Sequence, residues 1–278
     1  MKKTALLLML LSTSMAYADF DKGLACEKSK NYLCAVREFK VAADQGDVSA
    51  QFHLGAMYYN GLGVRQDYSE AIVWHRLAAD QGRADAQFNL GVMYYKGRGV
   101  KQDYVEAIKW YRLAADQGFS LAQLTLGLIY ARGQGVKKDN VEAVKWNRLA
   151  ANQGNATAQL SLGAAYYNGR GVKQGYAEAI TWFRLAAVQG NASAQYMLGM
   201  MYGKGENVQR DYGEAIKWNR LAAAQGQADA QSNMGKIYSD GLGIRQDKKT
   251  AKKWYGKACD KGNQRGCDNY RTLNKAGY

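Results

Sequence analysis

The sequence predicts an all-α fold, a superhelical solenoid of antiparallel helical hairpins built from 36-residue repeats. Three observations lead to this fold class. The chain repeats itself every 36 residues, all six tryptophans fall at one position of the repeat, and glycines bound two amphipathic stretches in each copy. A period of this length indicates supersecondary units that stack on one another, because one unit cannot bury its apolar face alone.

Each repeat begins at an alanine and continues through a Leu-Gly pair, a tyrosine and a glycine-valine loop to a tryptophan and a paired alanine. The sixth copy has Met234-Gly235 in place of Leu-Gly, Ile244 in place of the loop valine and Ala258-Cys259 in place of the paired alanine. The starting alanines are Ala50, Ala86, Ala122, Ala158, Ala194 and Ala230, and the tryptophans are Trp74, Trp110, Trp146, Trp182, Trp218 and Trp254. Recurrence within one chain marks these positions as structural.

The first helix of each repeat is predicted from residues four apart. Ala50, Leu54 and Tyr58 would share one helix face, and the same spacing recurs in the other copies. The Leu-Gly glycine lies inside this helix, where glycine costs about 1 kcal/mol relative to alanine. Six copies of that cost indicate a close approach to a second helix that a Cβ atom would block.

The second helix carries its own start and stop signals. Asp67 and Glu70 form an Asp-x-x-Glu capping pattern. Gly175 and Thr250 interrupt this pattern in the fourth and sixth repeats, so weaker caps are expected there. A glycine such as Gly82 follows each second helix, as the left-handed position after a helix prefers. The chain has 31 glycines and no proline, which suits a molecule made almost wholly of hairpins.

The domain organisation predicted from the sequence has four parts. Residues 1–18 read as a secretory signal peptide, because Lys2 and Lys3 precede a short apolar run that ends at Ala16-Tyr17-Ala18. No later apolar stretch is long enough to span a membrane. The remaining parts are an N-terminal partial capping repeat (19–49), six repeats (50–85, 86–121, 122–157, 158–193, 194–229 and 230–265), and a C-terminal partial repeat with a basic tail (266–278).

The repeat pattern, complete from Ala86 to Gly118, resembles the Sel-one-like repeat (SLR) family, which is related to tetratricopeptide solenoids. The resemblance covers essentially all of residues 19–270. It implies a non-enzymatic scaffold for protein–protein contacts, and bacterial secreted members are often linked to envelope or host-interaction roles. We therefore expect a periplasmic or secreted adaptor with a protein or peptide partner and no cofactor.

Four cysteines lie only near the ends of the chain, at Cys26, Cys34, Cys259 and Cys267. An even number of cysteines in a secreted chain indicates disulfides, and four cysteines allow three pairings. Pairing within each end is favoured, because a bridge needs Cα atoms within about 7 Å and stacked hairpins separate the two ends by much more. The expected bridges are Cys26–Cys34 and Cys259–Cys267.

Catalytic and metal-binding patterns are sparse in this sequence. The two histidines, His53 and His75, do not recur in other repeats, and His53 is expected to be an exposed helix residue. The Gly61-Leu62-Gly63 loops lack the lysine and the preceding strand of a phosphate-binding loop. The chain is therefore predicted not to be an enzyme. The alternative is a hydrolase acting on cell-wall or β-lactam material, as described for cysteine-rich SLR proteins, although those bridge most of their repeats.

Two positions vary between repeats while their neighbours stay constant. The first follows each tryptophan. The second lies on the first helix and forms a candidate partner groove of Phe52, Phe88, Leu124, Leu160 and Tyr196. First helices line the concave surface of a solenoid, where apolar residues can bind a peptide. Packing between repeats explains the same residues equally well, and both interpretations remain open at this stage.

Positive charge gathers toward the C-terminus of a chain whose formal net charge is +14. The candidate basic patch comprises Lys248, Lys249, Lys252, Lys253, Lys257, Lys261 and Arg265. A solubilising terminal cap and contact with an anionic envelope surface both account for it. A nucleic-acid partner is not predicted, because no base-stacking pattern accompanies these residues.

Overall fold

A computed structural model describes residues 19–205 and 208–278, which form fifteen α-helices and no strand. The all-α prediction is confirmed over these ranges. The predicted signal peptide, residues 1–18, lies outside the described residues. The chain divides into two compact units, one ending at Lys138 and the other beginning at Asp139.

Helices α1 to α7 belong to the first unit and helices α8 to α15 to the second. The first unit contains α1 (19–28), α2 (Tyr32–Asp44), α3 (Val48–Asn60), α4 (Tyr68–Asp80), α5 (Ala84–Lys96), α6 (Tyr104–Asp116) and α7 (Ser120–Arg132). The second unit contains α8 (Asn140–Asn152), α9 (Ala156–Asn168), α10 (Tyr176–Val188), α11 (Ala192–Lys204), α12 (Tyr212–Ala224), α13 (Ala228–Asp240), α14 (Lys248–Asp260) and α15 (Gln264–Lys275).

Within each unit, a tryptophan of a second helix packs against the core formed by the two helices that precede it. In the first unit, Trp74 of α4 packs against a buried cluster formed by α2 and α3 that includes Phe39 and Leu54. In the second unit, Trp218 of α12 completes a cluster formed by α10 and α11 that includes Phe183. The recurring tryptophan position therefore buries apolar surface between successive hairpins, which is the main favourable term in a repeat fold.

The mid-helix glycines permit the close helix packing that the sequence predicts. A Cβ atom on Gly91 would lie 2.7 Å from the Tyr111 ring, and one on Gly163 would lie 2.6 Å from the Phe183 ring. Real Cβ atoms essentially never approach another heavy atom so closely. Tyr111 and Phe183, the varied residues that follow two of the tryptophans, therefore pack on the glycines of their own hairpins.

The second helices begin at aspartate caps, although the glutamate of the capping pattern has another role. The Asp103 side chain accepts a hydrogen bond from the Glu106 amide at 2.9 Å. The Glu106 carboxylate accepts from the Trp110 indole Nε1 at 3.1 Å, so it fixes the tryptophan within its own helix. Trp218 donates to Glu214 in the same way at 2.7 Å, whereas the Nε1 atoms of Trp74 and Trp146 have no partner.

The two interrupted caps differ from each other. Gly175 provides no side-chain cap to α10, as predicted. The expectation of a weak cap at Thr250 is wrong, because Asp247 accepts from the Thr250 amide at 2.9 Å and from the Thr250 hydroxyl at 2.6 Å. Threonine thus supplies an extra donor to the cap at the start of α14.

Buried glutamines link successive hairpins within each unit. The Gln87 Nε2 atom donates to the Ala79 carbonyl at 3.1 Å, and Gln117 donates to the Gln87 Oε1 atom at 2.8 Å. Gln195 and Gln225 make the equivalent pair in the second unit at 2.8 Å. The Gln87 amide thus has a partner at both its nitrogen and its oxygen, as a polar group removed from water requires.

Candidate interaction surfaces

The candidate groove residues of the first unit lie on α3, α5 and α7, and all are half-buried. The Phe52 ring lies 4.4 Å from the guanidinium carbon of Arg83, the residue that precedes α5. The Phe88 ring lies 5.3 Å from the ring of Phe119, which precedes α7. The residue before the next first helix therefore covers part of the Phe52 and Phe88 side chains.

The candidate groove residues of the second unit behave similarly. Leu160 packs at the edge of the core formed by α10 and α11, and Tyr196 packs at the edge of the core of α13. Burial raises the pKa of the Tyr196 hydroxyl, while the nearby Arg265 and Lys204 oppose that shift. Each groove residue thus contributes to packing between hairpins and also keeps an accessible edge.

The varied residue after each tryptophan is buried, so this position belongs to the core and not to a surface. His75 is 1% exposed, and its Nδ1 atom has no hydrogen-bond partner. Burial lowers the pKa of His75 from 6.5 to about 4, with a small opposing influence from Asp85. A neutral imidazole in this environment serves as an apolar filler, like Tyr111 and Phe183 at the same position.

His53 is not the exposed helix residue that the sequence suggests. Its ring stacks on the Phe39 ring at 5.0 Å between centroids, and its Nδ1 atom lies 3.2 Å from the Glu27 carboxylate of α1. The side chain is 27% exposed. His53 therefore helps to hold α1 against α2 and α3.

The basic patch separates into three groups in the structure. Lys249, Lys253 and Lys257 are exposed and lie four residues apart on α14, so they form one ridge, which we call the α14 ridge. Lys248 and Lys252 instead turn toward the C-terminal segment. Lys261 and Arg265 lie in the turn after α14 and at the start of α15.

Lys248 and Lys252, the second of these groups, make contacts with the C-terminal segment of the chain. The Lys248 ammonium lies 4.9 Å from the centre of the Tyr278 ring. The Lys252 ammonium donates to the Asn274 side chain at 2.7 Å and also to the Tyr278 carbonyl. These two lysines hold the C-terminal segment on α14, whereas the α14 ridge has no salt bridge among the described residues.

The cysteines pair within each end of the chain, in the arrangement that the spacing favours. Cys26 of α1 is bonded to Cys34 of α2, with 5.7 Å between their Cα atoms. Cys259 of α14 is bonded to Cys267 of α15, with 4.5 Å between their Cα atoms. Each bridge ties a terminal helix to the hairpin beside it.

The described part of the chain contains no group of three or more His, Cys, Asp or Glu side chains suited to hold a metal ion. Over the same residues, no helix is both long enough and apolar enough to cross a membrane.

One cluster of residues in the second unit was not predicted from the sequence. Gly203, Asn219 and Lys236 line a pocket between α11, α12 and α13. Each of the three departs from the residue types that most other repeats carry at its position. The departure of these residues from the repeat pattern of the chain was thus the sequence signal that could have revealed the pocket.

Comparison with known families identifies this architecture. The Sel1 repeat family model matches residues 48–82, 84–119, 120–155, 156–191, 192–227 and 228–263. A search of curated proteins gives no significant match. The matched segments cover the six repeats that the sequence predicts, with starts shifted by two residues.

Two of the solved structures that match this chain resemble it in both fold and sequence. One is c5321, a protective antigen of uropathogenic Escherichia coli strains displaying an SLR fold, with 35% identity, 94% of this chain covered and a TM-score of 0.91. The chain spans 57% of that protein's length. The other is a Sel1 repeat protein from Oxalobacter formigenes, with 34% identity, 86% of this chain and 96% of that chain covered, and a TM-score of 0.74.

Proposed function

The chain belongs to the Sel1 repeat family, and from this premise we propose that it is an extracytoplasmic scaffold that binds a protein or peptide partner and carries out no catalysis. One observation supports the proposal above the others. The groove position stays half-buried in successive hairpins while its side chain changes between aromatic and aliphatic residues. A recurring accessible edge of variable chemistry suits recognition of a partner better than it suits packing alone.

The proposed location rests on independent features. Two disulfides close the terminal hairpins, and disulfides persist mainly in oxidising compartments. The N-terminal sequence has the pattern of a cleaved signal peptide. The similar E. coli protein is described as a protective antigen, and a comparable role for this chain is part of the proposal. Sequencing the N-terminus of the protein from an extracytoplasmic fraction should give Asp19; an intact Met1 in the cytoplasm would contradict this location.

The partner-binding proposal can be tested at Phe88. The oxidised protein is used to capture crosslinked partners from the envelope of native cells, in parallel with the Phe88→Ala and Leu90→Ala variants. Leu90 is fully buried in the same helix and serves as the control for lost packing. We expect Phe88→Ala to lose the partner and to lower the melting temperature less than Leu90→Ala does, because Phe88 is half-buried and Leu90 is fully buried. A retained partner together with a lowered melting temperature would assign Phe88 to the core.

The absence of catalysis is tested on the same preparation. Assays with nitrocefin and with peptidoglycan should show no turnover above buffer. Turnover that a single substitution abolishes would overturn the scaffold proposal in favour of a hydrolase.

The α14 ridge supports a second, weaker contact with an anionic surface. Three exposed lysines on one helix face attract negative charge, and the attraction decreases with salt. Co-sedimentation with vesicles containing anionic lipid should fall when Lys249, Lys253 and Lys257 are all changed to Gln. Replacing Lys101, Lys137 and Lys173 by Gln, which removes the same charge from the loops of other repeats, should have a smaller effect. Equal losses in the two triple variants would leave only a general charge effect and contradict a specific ridge.

A further inference from the structure

A pocket of about 150 Å³ lies in the second unit among α11, α12, α13 and the start of α15. Its apolar lining includes Met200, Ile237 and Leu242. Its polar lining includes Asn219 and Asn233 together with Lys204, Lys236 and Arg265. An apolar cavity of this size holds a molecule as large as benzene.

The pocket arises where the repeat loses large side chains. Gly203 occupies the position at which Tyr59, Tyr95 and Tyr167 stand in three other repeats. Asn219 occupies the position that holds Tyr111, Phe183 and Tyr255 in three others.

Packing does not explain the glycine at this position. A Cβ atom on Gly203 would meet only the Ala215 side chain, at 3.6 Å, which is ordinary contact distance. Its backbone also lies outside the left-handed region that favours glycine. Gly203 therefore leaves space that the local structure does not require.

The same region gains polar groups where other repeats are apolar. Lys236 stands where the five preceding repeats have Ala56, Val92, Leu128, Ala164 and Met200. Ser232, beside the pocket, stands where they have Phe52, Phe88, Leu124, Leu160 and Tyr196. At this one place, Gly203 and Asn219 are thus smaller than the residues of most other repeats, and Lys236 and Ser232 are more polar than those of the five preceding repeats.

A chain of hydrogen bonds fixes the guanidinium at this pocket. Arg265 donates from Nε to the Ser232 hydroxyl and from Nη2 to the Asn233 Oδ1 atom, both at 3.1 Å. Asn233 in turn donates to the Asn219 Oδ1 atom at 3.2 Å, and Asn219 donates to the Ala215 carbonyl at 2.8 Å. These bonds use two of the five N–H donors of Arg265 and hold its planar fork in place for a ligand.

Charge and burial define an orientation for that ligand. Asn219 is 1% exposed and lies at the inner end, whereas Lys204, Lys236 and Arg265 are exposed and lie at the open side. No described residue that lines the pocket carries a negative charge. An anionic group at the opening and an apolar group inside would match this lining, and a guanidinium pairs well with the two oxygens of a carboxylate.

We propose that this pocket binds a carboxylate attached to an apolar group no larger than about a benzene ring, such as the apolar C-terminal residue of a peptide or a small free acid. The pocket adjoins the groove near Tyr196, but none of the five groove residues lines it, so either proposal can fail without the other. The carboxylate would contact Arg265, with Lys204 and Lys236 beside it, and the apolar group would contact Met200, Ile237 and Leu242.

Titration calorimetry on the oxidised full chain tests this proposal with four organic probes and inorganic phosphate. Benzoate and benzamide form one pair, and a glycine-rich pentapeptide ending in phenylalanine, as free acid and as C-terminal amide, forms the other. We expect at least one acid to bind and its amide not to bind. The acid that binds identifies the source of the ligand. Binding of neither acid, equal binding of an acid and its amide, or equal binding of phosphate would overturn the proposal.

Variants assign the binding to this pocket. Arg265→Gln should weaken binding about 10- to 100-fold, the range expected for a lost charge-assisted contact, whereas Arg271→Gln on the same helix should leave it unchanged. Gly203→Tyr should fill the pocket and abolish binding, and Ala131→Tyr, which introduces the same residue at the same position of the third repeat, should not.

Lys236→Met restores the residue type of the preceding repeat and should also weaken binding, so the assignment does not depend on one variant folding. The affinity of a variant is compared with that of the wild type only where the two proteins have the same melting temperature. Binding that none of the Gly203, Lys236 and Arg265 variants alters would place the ligand elsewhere and overturn the proposal.

Discussion

Single residues decide how this protein responds to acid, because a neutral histidine is buried in its core. His75 lies in a position that is aromatic in three other repeats, and its imidazole has no hydrogen-bond partner at Nδ1. Protonation would place an unpaired charge among apolar groups, so the folded protein binds the proton more weakly than the unfolded chain does. The pKa of about 4 in the folded state lies below the usual 6.5.

The contribution of neutral His75 to the free energy of unfolding is therefore fully present above pH 6.5 and is lost as the pH falls toward 4. The shift corresponds to a loss of about 3 kcal/mol from the free energy of unfolding. We expect His75→Phe, which copies Phe183 at the equivalent position, to remove most of this acid sensitivity in denaturant titrations between pH 7 and pH 4. His53→Asn, which copies Asn89, should retain it. The same pH slope in both variants would show that other groups dominate.

A second residue-scale feature marks where the buried glutamine links stop. The Gln231 amide donates to the Ala223 carbonyl at 3.1 Å, yet its Oε1 atom is buried without a partner. The glutamine that would donate to it is replaced by Lys261 in the sixth repeat. An unsatisfied buried acceptor costs about 1–3 kcal/mol.

Restoring this donor should stabilise the C-terminal hairpins. We expect Lys261→Gln to raise the free energy of unfolding by about 1 kcal/mol, since the new amide can donate to Gln231 as Gln225 donates to Gln195. Lys253→Gln removes the same charge at an exposed position and controls for reduced repulsion. Equal gains in the two variants would attribute the effect to charge alone.

At the scale of the helix, two glycines that both lie within helices have opposite structural roles. Gly163 lies inside α9 against the fully buried Phe183 ring, whereas Gly203 lies near the end of α11 beside open space. Sequence propensity alone would rank alanine above glycine at both positions. The packing of the neighbouring helix reverses that ranking at Gly163.

The two alanine variants should therefore change stability in opposite directions. Gly163→Ala should lower the free energy of unfolding by about 1–3 kcal/mol, because its Cβ atom would lie 2.6 Å from the Phe183 ring and force the helices apart. Gly203→Ala should raise it by about 0.5 kcal/mol, through the lower chain entropy of the unfolded state. Stabilisation in both variants, measured by denaturant unfolding, would refute the close-approach explanation.

The same contrast shows which elements the sequence could predict. Helix boundaries were predictable because they depend on local backbone chemistry, as at the Asp67 cap and at the Gly61 end, where φ is 70°. The direction of the Glu106 side chain and the half-burial of Phe52 were not, since they depend on Trp110 and on Arg83 of the next hairpin. The pocket was missed because a missing side chain at Gly203 matters only once its neighbours from three helices are placed.

At the scale of the whole molecule, a repeat protein is most vulnerable at its ends, where a hairpin lacks one neighbour. Helix α15 illustrates the problem, because only Gly266 and Leu273 are buried in it. Helix α1 contributes Phe20 and Leu24 to the first core only at its edge. The two disulfides lie at these helices, so they compensate where apolar burial is small.

Each bridge should therefore protect its own end and leave the interior unchanged. In the chain-entropy model a loop of this size contributes roughly 2.5 kcal/mol, which corresponds to about a 70-fold change in the opening equilibrium of the helix it holds. We expect the Cys259→Ser/Cys267→Ser variant to lose hydrogen-exchange protection in α15 and the Cys26→Ser/Cys34→Ser variant to lose it in α1. Each double variant serves as the control for the other end, and α9 and α10 should exchange as in the oxidised wild type. If either variant lost protection equally in every helix, unfolding would be cooperative throughout the chain, and the bridges would act on global stability instead of on the terminal hairpins.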